Sequence, residues 1–241
     1  MGGPLFDGRP PIAFPMQHRT YSGRIAYLQN GVEERGREWF TVTVHQDGRR
    51  TARTMVEMED RDLLRDSTQS VDRDWYPTDA YIRLTLGDRF VGAAWYSFDS
   101  NSAACENLTE ATGRTRYRRD IGYRPPLFGT HALLNDGWLV AAFDRDRGDS
   151  KRHTNVGGFV CSQTPDGSTG PDLNRIDLTQ AYLGEERITV PAGTFETRHT
   201  QYIFPSRPPI DYWTTLEDFV PVRVRSTQLE STYELVEFDA G

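Results

Sequence analysis

The chain has 241 residues, of which 37% are hydrophobic, 26% charged and 12% aromatic, and its net charge is −7. It is long enough to bury a large core and too aromatic to be disordered, and no apolar run approaches the roughly 20 residues that span a bilayer. The negative balance argues against nucleic acid as a partner, because phosphate binding needs concentrated Lys and Arg.

Residues 1–18 read as an extended N-terminal arm. They show neither a basic nor an apolar signal region, so a cytoplasmic location is expected, or a periplasmic one had a signal been removed. From there the apolar period is two almost everywhere. Residues 20–28 form the first strand. In 38–45, Phe40, Val42 and Val44 share one face, Asp47-Gly48 supplies a hairpin turn, and 50–58 returns. Another strand starts at Leu63. A second hairpin joins 80–86 to 90–98 through Gly87-Asp88-Arg89. Both faces of 90–98 are apolar, so one is predicted to pack a core and the other, with Trp95, to line a ligand cavity.

The middle is more polar. Residues 99–137 and 144–176 read as long loops bracketing the apolar run 138–143, with a short helix predicted over 126–135. Strands resume at 186–190 and 194–204, a proline-rich loop follows (Pro205, Pro208, Pro209), and short strands come at 211–215, 219–226 and 231–238. Roughly a dozen strands at this spacing predict a single all-β domain over 1–241, a large antiparallel barrel or half-barrel around an apolar cavity.

The stretch 184–195 (GEERITVPAGTF), then Trp213-Thr214, then 219–224 (FVPVRV) and Tyr233-Glu234-Leu235 resembles the C-terminal part of the DUF3108-type β proteins. Those in turn are similar to the LolA/LolB lipoprotein-carrier fold. The resemblance covers about a quarter of the chain. It implies an open antiparallel barrel wrapped around an apolar cavity and assigns no catalytic residue.

No phosphate-binding loop, dinucleotide fingerprint, zinc-protease motif or nucleophile elbow occurs, so no cofactor is expected. The five histidines lack ligand spacing, so no metal is expected either. Cys105 and Cys161 make neither a zinc site nor a disulfide framework; they read as two free thiols, with a single bridge as the other option. His131, in the predicted short helix, and His199, on the face of 194–204 with Phe195 and Ile203, are the candidate proton-transfer groups. Segment 114–124 carries five arginines around Tyr117 and Tyr123. It reads either as a solvated strand or as a cationic mouth in which Arg118 steadies developing negative charge. Trp95, Tyr117, Tyr202 and Trp213 are the candidate ring-stacking residues.

Two functions fit these readings. One is a cofactor-independent lyase, isomerase or hydrolase acting on an apolar, aromatic small molecule by general acid/base catalysis. The other is a non-catalytic carrier of a lipid or similar apolar ligand. A homodimer is compatible with both.

Overall fold

The computed structural model describes residues 18–241, so the expected arm lies outside the described residues except for His18. Period-two patterning separated by tight turns yields fifteen strands: β1 (Arg19–Gln29), β2 (Glu33–Val44), β3 (Arg50–Met58), β4 (Leu63–Val71), β5 (Pro77–Leu86), β6 (Arg89–Phe98), β7 (Ser102–Thr109), β8 (Gly113–Asp120), β9 (Phe128–Gly129), β10 (Arg152–Val160), β11 (Asn174–Val190), β12 (Gly193–Phe204), β13 (Arg207–Thr215), β14 (Pro221–Ser226) and β15 (Ser231–Asp239). One helix, α1 (Leu133–Arg147), stands between β9 and β10.

All fifteen strands belong to one sheet. It runs from β8 at one edge down to β1, which pairs with β15, and then from β15 down to β9 at the other edge. Every neighbouring pair is antiparallel except β9 and β10, which are parallel and joined through α1. The hydrogen-bonded ladder does not close, so the architecture is a half-barrel.

Helix α1 fills the hollow of this curve. It touches β3, β13 and β14 as well as β9 and β10, and every residue from Leu133 to Phe143 is buried except Asp136. A helix apolar on all sides is a core helix. Its start is capped from a distant strand: the Glu38 carboxylate, fully buried on β2, accepts the backbone N–H of Leu133 at 2.6 Å and of Leu134 at 2.9 Å. These are two of the four donors that a helix start leaves without partners, and negative charge is favoured there.

A second, smaller core joins the two ends of the sheet. Tyr96, Phe98 and Cys105 from β6 and β7 pack with Phe128, Phe159 and Leu173. The Tyr96 hydroxyl donates to the Asp172 carbonyl at 3.2 Å and the Asn107 amide to the Pro171 carbonyl at 3.1 Å. Side chains thus bridge edges that backbone pairing leaves apart.

Three expectations need correction. The helix lies at Leu133–Arg147 rather than 126–135, and it takes in the apolar run 138–143. A fully buried helix has no polar stripe, so the run carries no 3.6-residue signal. The supposed long loops contain β7, β8 and β10, strands near the sheet edge many of whose polar residues face solvent. Pro208 and Pro209 stand inside β13, in the hairpin end where the register with β12 shifts and pairing with β14 has not yet begun, so their missing N–H groups cost no ladder bond.

Gly137 shows how closely the helix is seated. A Cβ there would stand 2.5 Å from the Phe219 carbonyl oxygen and 2.8 Å from Pro221 Cγ. Alanine normally favours a helix over glycine by about 1 kcal/mol. Here Gly137→Ala is expected to destabilise by about 1–3 kcal/mol, the usual cost of overpacking, measured by urea unfolding.

Candidate ligand-binding site

The sheet's inner face and the first turns of α1 enclose a cavity of about 120 Å³. Alternate residues of neighbouring strands supply its wall, because side chains two apart point to the same face. Ile176 and Leu178 come from β11, Tyr202 and Phe204 from β12, Ile210 and Tyr212 from β13, and Val224 and Ser226 from β14. Tyr27 on β1 and Tyr233 on β15 complete the wall, and Leu133 and Asp136, one helical turn apart, form the face opposite.

The aromatic wall is ordered by its own packing. Tyr202 and Tyr212 stack with centroids 4.2 Å apart, and Tyr27 meets Tyr233 edge-on at 4.7 Å. The Tyr27 hydroxyl donates to Glu38 at 2.9 Å, and that of Tyr202 donates to the Asp136 carbonyl. Burial holds all four phenols above their ordinary range, so they remain protonated donors at neutral pH.

Asp136 is the chemically distinctive group. Burial, reinforced by the Glu38 charge, pushes its carboxyl from 3.8 up to about 7, against the opposing pull of Arg65 and of the His131 N–H. Arg65, on β4, is 1% exposed and donates to the carbonyls of His131 and Asp166, each at 2.7 Å. Around the helix start, with Asp136 on the cavity wall and Glu38 and Arg65 behind it, one buried cation therefore stands near two carboxyls whose proton affinities are raised by burial.

Of the residues singled out in the sequence, His131 and Tyr202 line this cavity together. His131 has a left-handed backbone (φ 60°) immediately before α1, and its Nε2 is 3.1 Å from the Ser162 carbonyl. Burial, with Arg65 adding, pushes the ring down to about 4, so it is neutral at pH 7 and committed to that carbonyl. The remaining residues lie elsewhere. His199 and Trp213 are cross-strand partners, stacked with centroids 4.2 Å apart, at positions that alternate with the cavity wall and so face away from it. His199 is held by Asp211 at 2.8 Å and Glu186 at 3.3 Å. Trp95 is 56% exposed on the outer face of β6, so that face does not line the cavity.

Tyr117 accepts the Leu173 N–H at 3.1 Å and donates to Asp172, pinning the 171–173 segment to β8. Arg118 is exposed and pairs with Asp99 at 2.9 Å and Asp120 at 3.3 Å. The arginine segment is thus a solvated edge strand rather than a cationic mouth. Both cysteines are free and buried, and burial pushes each thiol up to about 12, which makes them poor nucleophiles. Among the described residues no three His, Cys, Asp or Glu side chains converge to hold a metal ion.

Glu38 and Asp136 escaped the sequence reading. A signal existed for Glu38, which falls on the same alternate face as Phe40 and Val42. None existed for Asp136, since Asp-Gly reads as a turn.

Fold and cavity together define a β-barrel-like protein with a helix-filled interior. The chain is similar to a β-barrel-like protein of the domain of unknown function DUF1849 from Brucella abortus, with a TM-score of 0.56 and 10% identity over 93% of this chain and 97% of that one. A DUF1089 family protein from Pseudomonas aeruginosa aligns over 77% of this chain and 87% of its own, at 9% identity and a TM-score of 0.45. The likeness to the Brucella protein is one of fold. No protein-family model and no curated protein sequence matches the chain. No helix among the described residues is long and apolar enough to cross a membrane.

Proposed function

We propose that this protein binds a small, largely apolar organic molecule, about one ring or a short chain in size, in the cavity between α1 and strands β11–β15. The observation that carries this reading is the convergence of four tyrosines and the unpaired Asp136 carboxyl on a largely apolar space of about 120 Å³. A dry cavity of roughly 150 Å³ admits benzene, so a single ring matches the scale. The lipid-carrier reading, and with it the DUF3108 and LolA/LolB resemblance, asks for room for long acyl chains. Helix α1 occupies the hollow where those chains would lie.

A catalytic version of the same site is favoured by Asp136. A carboxyl that titrates near neutrality can both accept and return a proton, which suits a cofactor-independent lyase, isomerase or hydrolase. That role passes to Asp136 because His131 is tied to a carbonyl and His199 faces away from the cavity.

The test is a titration of single-ring compounds by calorimetry. The protein is expected to bind such probes with Kd of about 0.1–1 mM, a plausible yield for some eight heavy atoms. Ile210→Trp, which fills the cavity from a partly exposed position, is expected to abolish binding while leaving the melting temperature within a few degrees. Equal binding by the wild type and this variant would overturn the assignment.

A further inference from the structure

We infer that the molecule taken by this cavity carries a basic nitrogen: an apolar ring or short chain with one protonated amine, seated on Asp136 and enclosed by the tyrosine faces. The inference rests on the small-molecule reading above and names the chemistry of the ligand's head.

Three observations lead there. First, the Asp136 carboxyl lines the cavity and no side chain among the described residues donates to it, so it retains open acceptor positions. The obvious internal cation does not fill them, because both terminal nitrogens of Arg65 are given to backbone carbonyls. Second, the Tyr212 hydroxyl has no hydrogen-bond partner among the described residues, although the residue is 3% exposed and borders the same space. A hydroxyl that opens onto the cavity with no protein partner is free to bond a ligand. Third, Tyr27, Tyr202, Tyr212 and Tyr233 surround the site in two packed pairs, and aromatic faces attract cations, most strongly when water is excluded.

An anionic head fits less well. The groups facing Asp136 are Glu38 from β2, Arg65 from β4, His131 from the turn before α1, Cys161 just after β10, and Tyr202, Tyr212 and Tyr233 from β12, β13 and β15. Asp166 borders the cavity as a second carboxyl, already paired with Arg61 at 2.5 Å. The free-standing cation of the wall is Arg207, whose guanidinium lies over the Phe204 ring at 3.5 Å, at the start of β13. A carboxylate ligand would therefore meet the unpaired Asp136 carboxyl, whereas an ammonium meets an acceptor and aromatic rings.

The inference has a proton signature. An ammonium bound beside Asp136 favours the carboxylate, so binding below pH 7 must expel the Asp136 proton, and amine affinity should rise from pH 6 to pH 8. A neutral ligand of the same shape lacks this dependence.

The experiment compares benzylamine, benzyl alcohol, benzoate and toluene by calorimetry at pH 6 and pH 8, on the wild type and on Asp136→Asn. At pH 8 the wild type is expected to bind benzylamine at least about tenfold more tightly than benzyl alcohol. Asp136→Asn should lose that preference for benzylamine over benzyl alcohol. At pH 6, heats measured in buffers of different ionisation enthalpy should show proton release with benzylamine alone. The inference is overturned, with the binding reading left standing, if the neutral probes bind and benzylamine binds no better. It is equally overturned if the preference survives in Asp136→Asn or if benzoate binds tightest. Failure of all four probes overturns the binding reading itself and this inference with it.

Discussion

Replacing Glu38 by alanine should cost this protein about 3–5 kcal/mol of stability, the range seen when one member of a buried polar network is removed. The carboxylate lies at 0% exposure and satisfies three donors at once: the Leu133 and Leu134 N–H groups and the Tyr27 hydroxyl. Alanine leaves all three without acceptors in a space closed to solvent, and each orphaned donor costs about 1–3 kcal/mol. It also leaves the Arg65 charge without one of its two nearby carboxyls. Glu38→Gln keeps one oxygen but turns an NH₂ toward a backbone N–H, so an intermediate loss is expected. Urea unfolding of the two variants measures both. A loss below about 1 kcal/mol for Glu38→Ala would show that α1 does not depend on its distant cap.

Asp136→Asn should act in the opposite direction at neutral pH. The folded carboxyl titrates at about 7 instead of 3.8, so the unfolded chain gives up this proton first as pH rises. Below about pH 4 the group is protonated in both states and contributes nothing. Between about pH 4 and pH 7 the folded state binds more protons than the unfolded one, and stability falls with each step upward. Above 7 the penalty is complete. Asparagine has the same shape, can still accept the His131 N–H and cannot ionise. The variant should therefore match the wild type near pH 4 and exceed it by roughly 4 kcal/mol at pH 8, each tenfold change in proton affinity being worth about 1.4 kcal/mol. Because other carboxyls titrate in both proteins, the difference between the two curves is the quantity to read. Parallel curves would mean that the Asp136 carboxyl ionises normally and that the cavity is wetter than its lining indicates.

A residue that destabilises its own fold at neutral pH fits a binding site better than a core. Inside a sheet this large, an apolar residue one turn beyond Leu133 would pack without that penalty. Retaining a carboxyl there gives the cavity an unpaired acceptor.

The chain's strands were legible because a half-buried sheet writes itself at period two. The faces of β2 and β12 were readable residue by residue, and so were the Asp47-Gly48 and Gly87-Asp88 turns. Period two places His199 and Tyr202 on opposite faces of β12, but it does not say which face is inside. That was decided by the curvature of the whole sheet, which turns the Tyr202 face toward α1 and leaves the His199 face outside. Helix α1 was illegible for a related reason: once a helix is surrounded by strands on every side, its sequence needs no polar stripe, and Trp138–Phe143 carries no helical period. The site followed the same division. The sequence by itself determined an antiparallel β architecture, an aromatic-rich interior, and His131 and Tyr202 among its possible contacts. Only the tertiary structure decided that Glu38 caps a helix nearly a hundred residues away and that Asp136 opens onto the cavity with a raised proton affinity, because proton affinity depends on the solvent and charges around a group, and those neighbours come from strands far apart in the chain.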